Sequence, residues 1–344
     1  IRGYKPTISG HSKQITRIAE QINNSRQPIL CIGGGINSSG CSKELVEFVE
    51  KTRMPVVCTL MGVDGFPNGN PYFAGLLGSH GYPFVNKAMN KADLIIVIGA
   101  RFADRSTAVI SHKNTSQHVI HIDIDPAEIG KNVKTHTPVV GDAGAILRQL
   151  NTYDYTSDIS PWTDGIILER KRYMEENLNR EWDAQGTNPC KLIKSISDKT
   201  GSKAVVTSDV GQNQIWTAHY FLADDSRRYF TSGGLGTMGY SLPAAIGARM
   251  AADNDTTVTA VMGEGGFQML MGELALVREH DLDIKVVIIT NERLGMVREL
   301  QLNAYGNESY YGIDIGFNPD YMKLAEAYNI KGYLIEEDSQ IDEV

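Results

Sequence analysis

The sequence predicts an α/β protein made of two doubly wound parallel-sheet domains. Two observations carry this. Short apolar runs at 29–32, 94–98 and 284–289 alternate with segments whose apolar residues recur at helical spacing. Several runs also end in glycine, at Gly33-Gly34-Gly35, Gly99 and Gly263-Glu264-Gly265-Gly266. Strands buried on both faces read as continuous apolar runs, and ligands bind open α/β sheets at the carboxyl edge where such turns lie.

In the first half, Ile15, Ile18, Ala19 and Ile22 follow helical spacing, with Ser12 as the expected N-cap. Pro28 introduces the strand at 29–32. Leu45, Phe48 and Val49 mark the next helix, Pro55-Val56-Val57-Cys58 the next strand, and further strands are expected at 94–98 and 119–124. The triple glycine does not complete GxGxxG, because Ser38 follows Gly33 and Gly35. The second strand ends in Thr59-Leu60 rather than in the acid that holds an NAD ribose. A nicotinamide dehydrogenase is therefore disfavoured. Glycines at strand ends still let a cofactor phosphate lie across the sheet edge. Arg101 and Arg105 offer charge to a pyrophosphate or flavin, with a surface ion pair to Asp104 or Asp125 as the competing reading.

A polar stretch at 151–160 leads into a helix carrying Ile166, Ile167, Tyr173, Met174 and Leu178, and a break follows at 185–189. Residues 151–186 thus read as a linker and helix between a domain at 1–150 and another at 187–344. The second sheet begins at 204–207, and the turn Ser208-Asp209-Val210-Gly211-Gln212-Asn213 opens a helix. Four glycines within 233–239 imply close approach of backbone to a ligand or neighbouring chain, or else a flexible loop.

The strand at 258–262 breaks into Gly263-Glu264-Gly265-Gly266. Phe267, Leu270, Met271, Leu274 and Val277 then predict one helix, and the strand at 284–289 ends in Thr290-Asn291. Parallel pairing brings Glu264 and Asn291 to the same edge. A carboxylate and an amide beside a phosphate suit Mg²⁺, which prefers oxygen ligands; a glycine turn with a solvated Glu is the alternative. A last strand is expected at 332–335.

The chain has 344 residues, enough for two α/β cores, and its 42% hydrophobic and 22% charged content suits a soluble globular protein. A net charge of −8 gives no support for binding nucleic acid. Arg170-Lys171-Arg172 and Arg227-Arg228 read as solvated faces. Cys31, Cys41, Cys58 and Cys190 lack metal-site spacing, and Cys31 and Cys58 sit in apolar runs as core thiols. A cytoplasmic location is expected, or a plastid or mitochondrion in a eukaryote. No run is long enough to span a membrane. The start at Ile1 without Met, and the stop at Val344 just after a strand-like run, suggest that both ends are cut.

These phrases resemble the thiamine-diphosphate enzymes, whose signature is Gly-Asp-Gly, a gap, then Asn. Here Gly263-Glu264-Gly265 and Asn291 match it, with Glu in place of Asp. Arg2-Gly3-Tyr4, Gly33-Gly34-Gly35, Thr59-Leu60-Met61-Gly62, Gly78-Ser79-His80-Gly81, Gly99-Ala100-Arg101-Phe102 and His121-Ile122-Asp123-Ile124-Asp125 follow in order. Together they resemble the central domain of the FAD-containing acetohydroxyacid (acetolactate) synthase family. The second half is similar to that family's catalytic domain, through Gly295-Met296-Val297.

The resemblance implies FAD contacts at Arg2, Gly33, Gly34, Gly35, Thr59, Leu60, His80, Gly99, Arg101, Arg105 and Asp123. It implies thiamine diphosphate contacts at Val210, Gly211, Gln212, Asn213, Gly265 and Gly266, with Gly236 and Met238 at the aminopyrimidine and Gly295, Met296 and Val297 flanking the ring. Glu264, Asn291 and the carbonyl of Arg293 would hold Mg²⁺. Met238 and Met296 are the catalytic residues implied, Met238 as the wedge that bends the cofactor; from its residue type alone, Met238 equally suits core filling. The family usually has Met at Ser79, His at Asn213 and, in biosynthetic members, Trp at Leu300, where it favours a second substrate larger than pyruvate.

The implied activity is decarboxylation of pyruvate and carboligation to a second 2-keto acid, in branched-chain amino acid biosynthesis. The family's N-terminal pyrimidine-binding domain, with its activating glutamate, has no match here, so an isolated chain is expected to be catalytically silent. Expected partners are 2-keto acids, further copies in a homodimer or homotetramer, and a regulatory small subunit. The alternatives are pyruvate oxidase, glyoxylate carboligase or sulfoacetaldehyde acetyltransferase, or a non-catalytic flavin-binding or assembly subunit.

Overall fold

Six parallel strands are ordered β3-β2-β1-β4-β5-β6 in the first sheet. They are β1 (Pro28–Ile32), β2 (Val56–Cys58), β3 (Phe73–Leu76), β4 (Leu94–Ile98), β5 (His118–Asp123) and β6 (Thr137–Val140). The chain order reverses between β1 and β4, so the crevice at their carboxyl ends is the topological switch point. The computed structural model describes residues 3, 5–107, 117–180, 186–306 and 309–344. It forms two units: residues up to Glu176 with Ala223–Arg227, and Asn177–Leu222 with Arg228–Val344.

The first unit is held by an apolar layer in which Ile29, Cys31, Val57, Ile95 and Val97 of the strands meet Val85, Met89 and Ile166 of flanking helices. The helix Ser160–Asn179 docks there through Trp162, whose Nε1 donates to Pro28 O at 2.9 Å, and Thr163, whose Oγ1 donates to Arg53 O at 2.9 Å. Arg170 departs from the solvated face expected of it. Its guanidinium lies over the Phe73 ring at 5.0 Å from the centroid and donates to Asn68 O at 3.3 Å. A cation over an aromatic face stabilises by about 1 kcal/mol, which offsets part of the cost of drawing it out of water.

In the second unit β7 (Val205–Ser208), β8 (Tyr229–Thr231), β9 (Val258–Gly263) and β10 (Ile284–Ile289) are ordered β10-β9-β7-β8, all parallel. Registers run without a shift: Ile289 faces Gly263, and Ser208 faces both Val261 and Thr231. The turns after β7, β8, β9 and β10 therefore share one edge. Val258, Ala260 and Met262 form the core with Phe267, Leu274 and Val277 on one side of the sheet.

Three local expectations need correction. The first helix, Ser12–Asn24, is capped by His11, whose extended backbone lets Nδ1 accept the N–H of Lys13 at 3.3 Å; Ser12 is already helical. The single helix expected after Gly266 is two, Glu264–Leu270 and Leu274–Glu279, separated by a 3₁₀ turn at Met271–Glu273. Leu270 leaves helical geometry at φ −134°, and its side chain is 36% exposed. Residues 332–335 form no strand, because no described strand pairs with them and Tyr333 and Leu334 are exposed.

Three short strands, β3, β6 and β8, were not foreseen. Gly75 interrupts β3, Pro138 lies in edge strand β6, and β8 has only three residues. All four cysteines are buried and free, and burial pushes the thiols up, Cys31 to about 12. Among the described residues no helix is long and apolar enough to cross a membrane.

Candidate functional site

The turn after β7 shapes the second unit's edge. Gly211 has φ +148°, and a Cβ there would lie 2.5 Å from Asn213 Oδ1, so only glycine fits. It ends the strand and opens the helix Gln212–Tyr220 with its N-terminus at the edge. Asn213 is buried and turned inward: Nδ2 donates to Asp209 O at 2.8 Å and to Val261 O at 3.5 Å, tying β7 to β9.

Asp209 is fully buried, and its carboxylate accepts the N–H groups of Gly239 at 2.9 Å and Tyr240 at 3.0 Å. It clamps the glycine-rich segment that follows β8. Burial pushes its carboxyl up, against the opposing pull of N–H donors from Gly239, Val210, Tyr240 and Ser241. Gly266 is obligatory beside it, since a Cβ would sit 1.8 Å from Asp209 Oδ2.

Glu264 and Asn291 meet as the parallel register requires. Glu264 is buried, 2% exposed rather than solvated, and its Oε1 accepts the N–H of Asn291 at 2.9 Å. The Asn291 side chain is held at both ends. Its Nδ2 donates to Gln212 Oε1 at 3.1 Å, and its Oδ1 accepts the N–H of Arg293 at 3.1 Å. Gln212 Nε2 donates in turn to Glu299 Oε1. Glu299 lies on the helix Gly295–Tyr305, whose N-terminus also opens at this edge. A Cβ on Gly295 would fall 1.8 Å from Gln212 Oε1. Arg293 is exposed and pairs with Asp314, Nε to Oδ1 at 3.5 Å.

Met238 reaches the same place: its ε-methyl would be 3.2 Å from a Cβ on Gly265, alongside Leu294 Cδ2 at 3.2 Å. It is half-buried, whereas Val297 and Leu300 are exposed at 41% and 68%, and Met296 is half-buried. Gly236 has φ +78°, and neither it nor Gly234 would bring a Cβ within 4 Å of described atoms. Packing within the described residues therefore demands glycine at neither. Val210 is half-buried beside Asp209.

In the first unit the glycines after β1 and β4 explain one another. A Cβ on Gly33 would lie 2.3 Å from Gly99 O, one on Gly35 2.5 Å from Gly99 Cα, and one on Gly99 2.6 Å from Gly35 Cα. Gly34 faces Met61 O at 3.3 Å. Thr59 N donates to Ile32 O at 2.9 Å, and Leu60 starts a 3₁₀ turn beside them. His80 is half-buried. Ser79 N donates to Arg105 O at 2.8 Å, so the loops carrying His80 and Arg105 meet through backbone. Arg101 and Arg105 are exposed, and among the described residues neither forms an ion pair with Asp104 or Asp125. Asp123 is buried and its Oδ1 accepts the N–H of Asp125 at 2.9 Å, closing the turn after β5. Arg2 lies outside the described residues.

Two residues at the second edge were missed from sequence, Asp209 and Glu299. Asp209 follows a strand like any turn residue, and only the closure of 239–241 over it reveals a buried carboxylate. Glu299 lies on a helix flank, and its partner Gln212 is 87 positions away.

Residues 15–150 match the thiamine pyrophosphate enzyme central domain, and residues 209–344 match the thiamine pyrophosphate enzyme C-terminal TPP binding domain. The chain is 39% identical to a probable acetolactate synthase large subunit of Methanocaldococcus jannaschii, over 100% of this chain and 59% of that protein. It is 38% identical to the probable acetolactate synthase large subunit of Methanococcus aeolicus, over 99% of this chain and 59% of the relative. With acetolactate synthase isozyme 3 large subunit of Escherichia coli the identity is 37%, over 99% and 60%. The chain thus spans about three fifths of the length of these relatives. With both domain matches in order along the chain, and the parallel-sheet architecture to accompany them, the chain belongs to the thiamine pyrophosphate enzyme family and carries its central and C-terminal TPP-binding domains.

Proposed function

We propose that this chain is the flavin-type central part and the thiamine-diphosphate-binding part of an acetolactate synthase large subunit, with domains at 1–150 and 187–344 joined by 151–186. The activity is decarboxylation of pyruvate and carboligation of the remaining two-carbon unit to a second 2-keto acid. One observation carries this reading: Glu264, Asn291 and Gln212 converge at the carboxyl edge of the second sheet, linked by hydrogen bonds of 2.9 and 3.1 Å.

The residues present fit the cofactor. The buried carboxylate of Glu264 and the amide oxygen of Asn291 are oxygen donors of the kind Mg²⁺ prefers, and the backbone carbonyl of Arg293 would be a third. The first turn of Gln212–Tyr220 would offer the N–H groups of Gln212 and Asn213 to a diphosphate at the edge where Gly265, Gly266 and Gly295 lie. When bound, thiamine diphosphate supplies the stabilised carbanion that decarboxylation of a 2-keto acid requires.

The chain's own residues bind, orient and exclude water. Val210 and Gly211 would shape the diphosphate turn, Gly236 and Met238 would support the aminopyrimidine, and Gly295, Met296 and Val297 would flank the ring. In the first unit, Arg101 and Arg105 would supply charge for FAD at the switch point, with Gly33, Gly34, Gly35, Gly99, Thr59, Leu60, His80 and Asp123 as its further contacts. The relatives are named large subunits, which supports a regulatory small subunit as a partner; self-association is proposed with it. Four buried free thiols suit a reducing compartment such as the cytoplasm.

The test is to express the chain within its complete reading frame and identify the product from pyruvate with thiamine diphosphate, Mg²⁺ and FAD. Acetolactate is the expected product. Oxygen consumption without acetolactate would instead favour the pyruvate oxidase reading. Cofactor binding without turnover would favour a non-catalytic subunit.

A further inference from the structure

Three side chains at the second edge form a one-way relay. Asn291 Nδ2 donates to Gln212 Oε1 at 3.1 Å, and Gln212 Nε2 donates to Glu299 Oε1. Asn and Gln each carry an oxygen and an NH₂ on nearly superimposable ends, so shape alone leaves both orientations open to them. An ionised carboxylate only accepts. Glu299 therefore takes the NH₂ of Gln212, which turns Gln212 Oε1 toward Asn291. That oxygen takes the NH₂ of Asn291, and Asn291 Oδ1 is left on the side of the Arg293 backbone, whose N–H it accepts at 3.1 Å. Reversing either amide would set donor against donor or leave Glu299 facing a second acceptor.

We propose that Glu299 is a positioning residue which, through Gln212, fixes the oxygen of Asn291 as the end available to a divalent cation. This rests on the reading of Asn291 and Glu264 as Mg²⁺ ligands. A cation discriminates between the two ends of an amide because only the oxygen has electron density to give. Glu264 is independently set: its Oε1 is occupied by the Asn291 N–H at 2.9 Å. The relay therefore acts on Asn291 alone.

The experiment compares wild type, Glu299→Gln and Glu299→Ala, each within the complete reading frame, by calorimetric titration of thiamine diphosphate at a series of Mg²⁺ concentrations. Glu299→Gln keeps shape and hydrogen-bonding capacity but offers either face, so packing is preserved while direction is lost. The Mg²⁺ concentration for half-saturation is expected to rise about fivefold in Glu299→Gln, on the scale of one lost hydrogen bond. Thiamine diphosphate affinity at saturating Mg²⁺ should return to within about twofold of wild type, and the thermal midpoint without cofactors should not move. Glu299→Ala should show the same split and covers the case in which Glu299→Gln folds poorly. An unchanged Mg²⁺ requirement in both variants overturns the proposal. So does weaker binding by the same factor at every Mg²⁺ concentration, which assigns Glu299 to packing alone. Absence of Mg²⁺-dependent binding in wild type overturns instead the reading of the site itself.

Discussion

The carboxylate of Glu264 accepts the backbone N–H of Asn291 at 2.9 Å across a separation of 27 residues. Two strand ends are thereby joined by a side chain long enough to reach from one to the other. The extra methylene, relative to the Asp usual in this family, lets one oxygen serve the neighbouring backbone while the second stays available. Glu264→Asp should lose the bond to Asn291, and Glu264→Gln should keep it but lose the charge. Thiamine diphosphate binding in the presence of Mg²⁺ should fall at least tenfold in Glu264→Gln, read by calorimetry. Binding equal to wild type would show that no cation uses this carboxylate.

Asp209→Asn tests the clamp on the glycine-rich segment. The amide has one acceptor where the carboxylate has two, so the N–H of Gly239 or Tyr240 faces an NH₂ in a fully buried site. A stability loss of about 1–3 kcal/mol is expected from one unsatisfied buried donor, measured by urea unfolding.

The same carboxyl has a pH signature. Burial raises its folded value above the ordinary aspartate range, so the native state holds the proton more firmly than the unfolded chain does. Stability from this group is therefore greatest at low pH and falls as pH rises from the unfolded value through the folded one. Subtracting the pH–stability curve of Asp209→Asn from that of wild type should reveal a component of that sign. A component that grows with pH would contradict it.

Gly266→Ala and Gly295→Ala should separate fold from site. Each added Cβ would come 1.8 Å from an oxygen, but the obstacles differ. At Gly266 it is the anchored carboxylate of Asp209, which cannot yield without losing two N–H bonds; a cost of about 1–3 kcal/mol is expected. At Gly295 it is the tip of the Gln212 side chain, which can swing away, while alanine suits the helix that starts there. Gly295→Ala should keep its thermal midpoint and bind thiamine diphosphate several-fold more weakly.

Arg101→Ala and Arg105→Ala should weaken FAD binding, followed by flavin fluorescence, with stability changes within about 0.5 kcal/mol, because both side chains are exposed. Retained flavin affinity in the double variant would remove the charge argument for that site.

The meeting of Glu264 and Asn291 was legible in the sequence because parallel pairing is a rule about strand ends, and both ends are marked by largely apolar runs. Asp209 was not legible, since its environment is made by residues 239–241 folding back over it. The run Arg170-Lys171-Arg172 looked uniformly solvated because charge alone does not say which face of a helix meets Phe73. Strands β3, β6 and β8 were hidden by a glycine, a proline and sheer brevity. Helix ends near Ser12 and Leu270 turned on single dihedral angles, to which apolar spacing is blind.

The interlock of Gly33, Gly35 and Gly99 bears on how this sequence can diverge. Each of the three excludes a side chain at another by backbone contact, so none can change alone whatever ligand the crevice holds or loses. A relative that binds no flavin would still need all three glycines. The triplet is thus a fossil of the sheet crossing and a poor census of flavoproteins. Exposed positions such as Arg101 and Arg105, which no described neighbour constrains in this way, are where a difference in ligand would first be written.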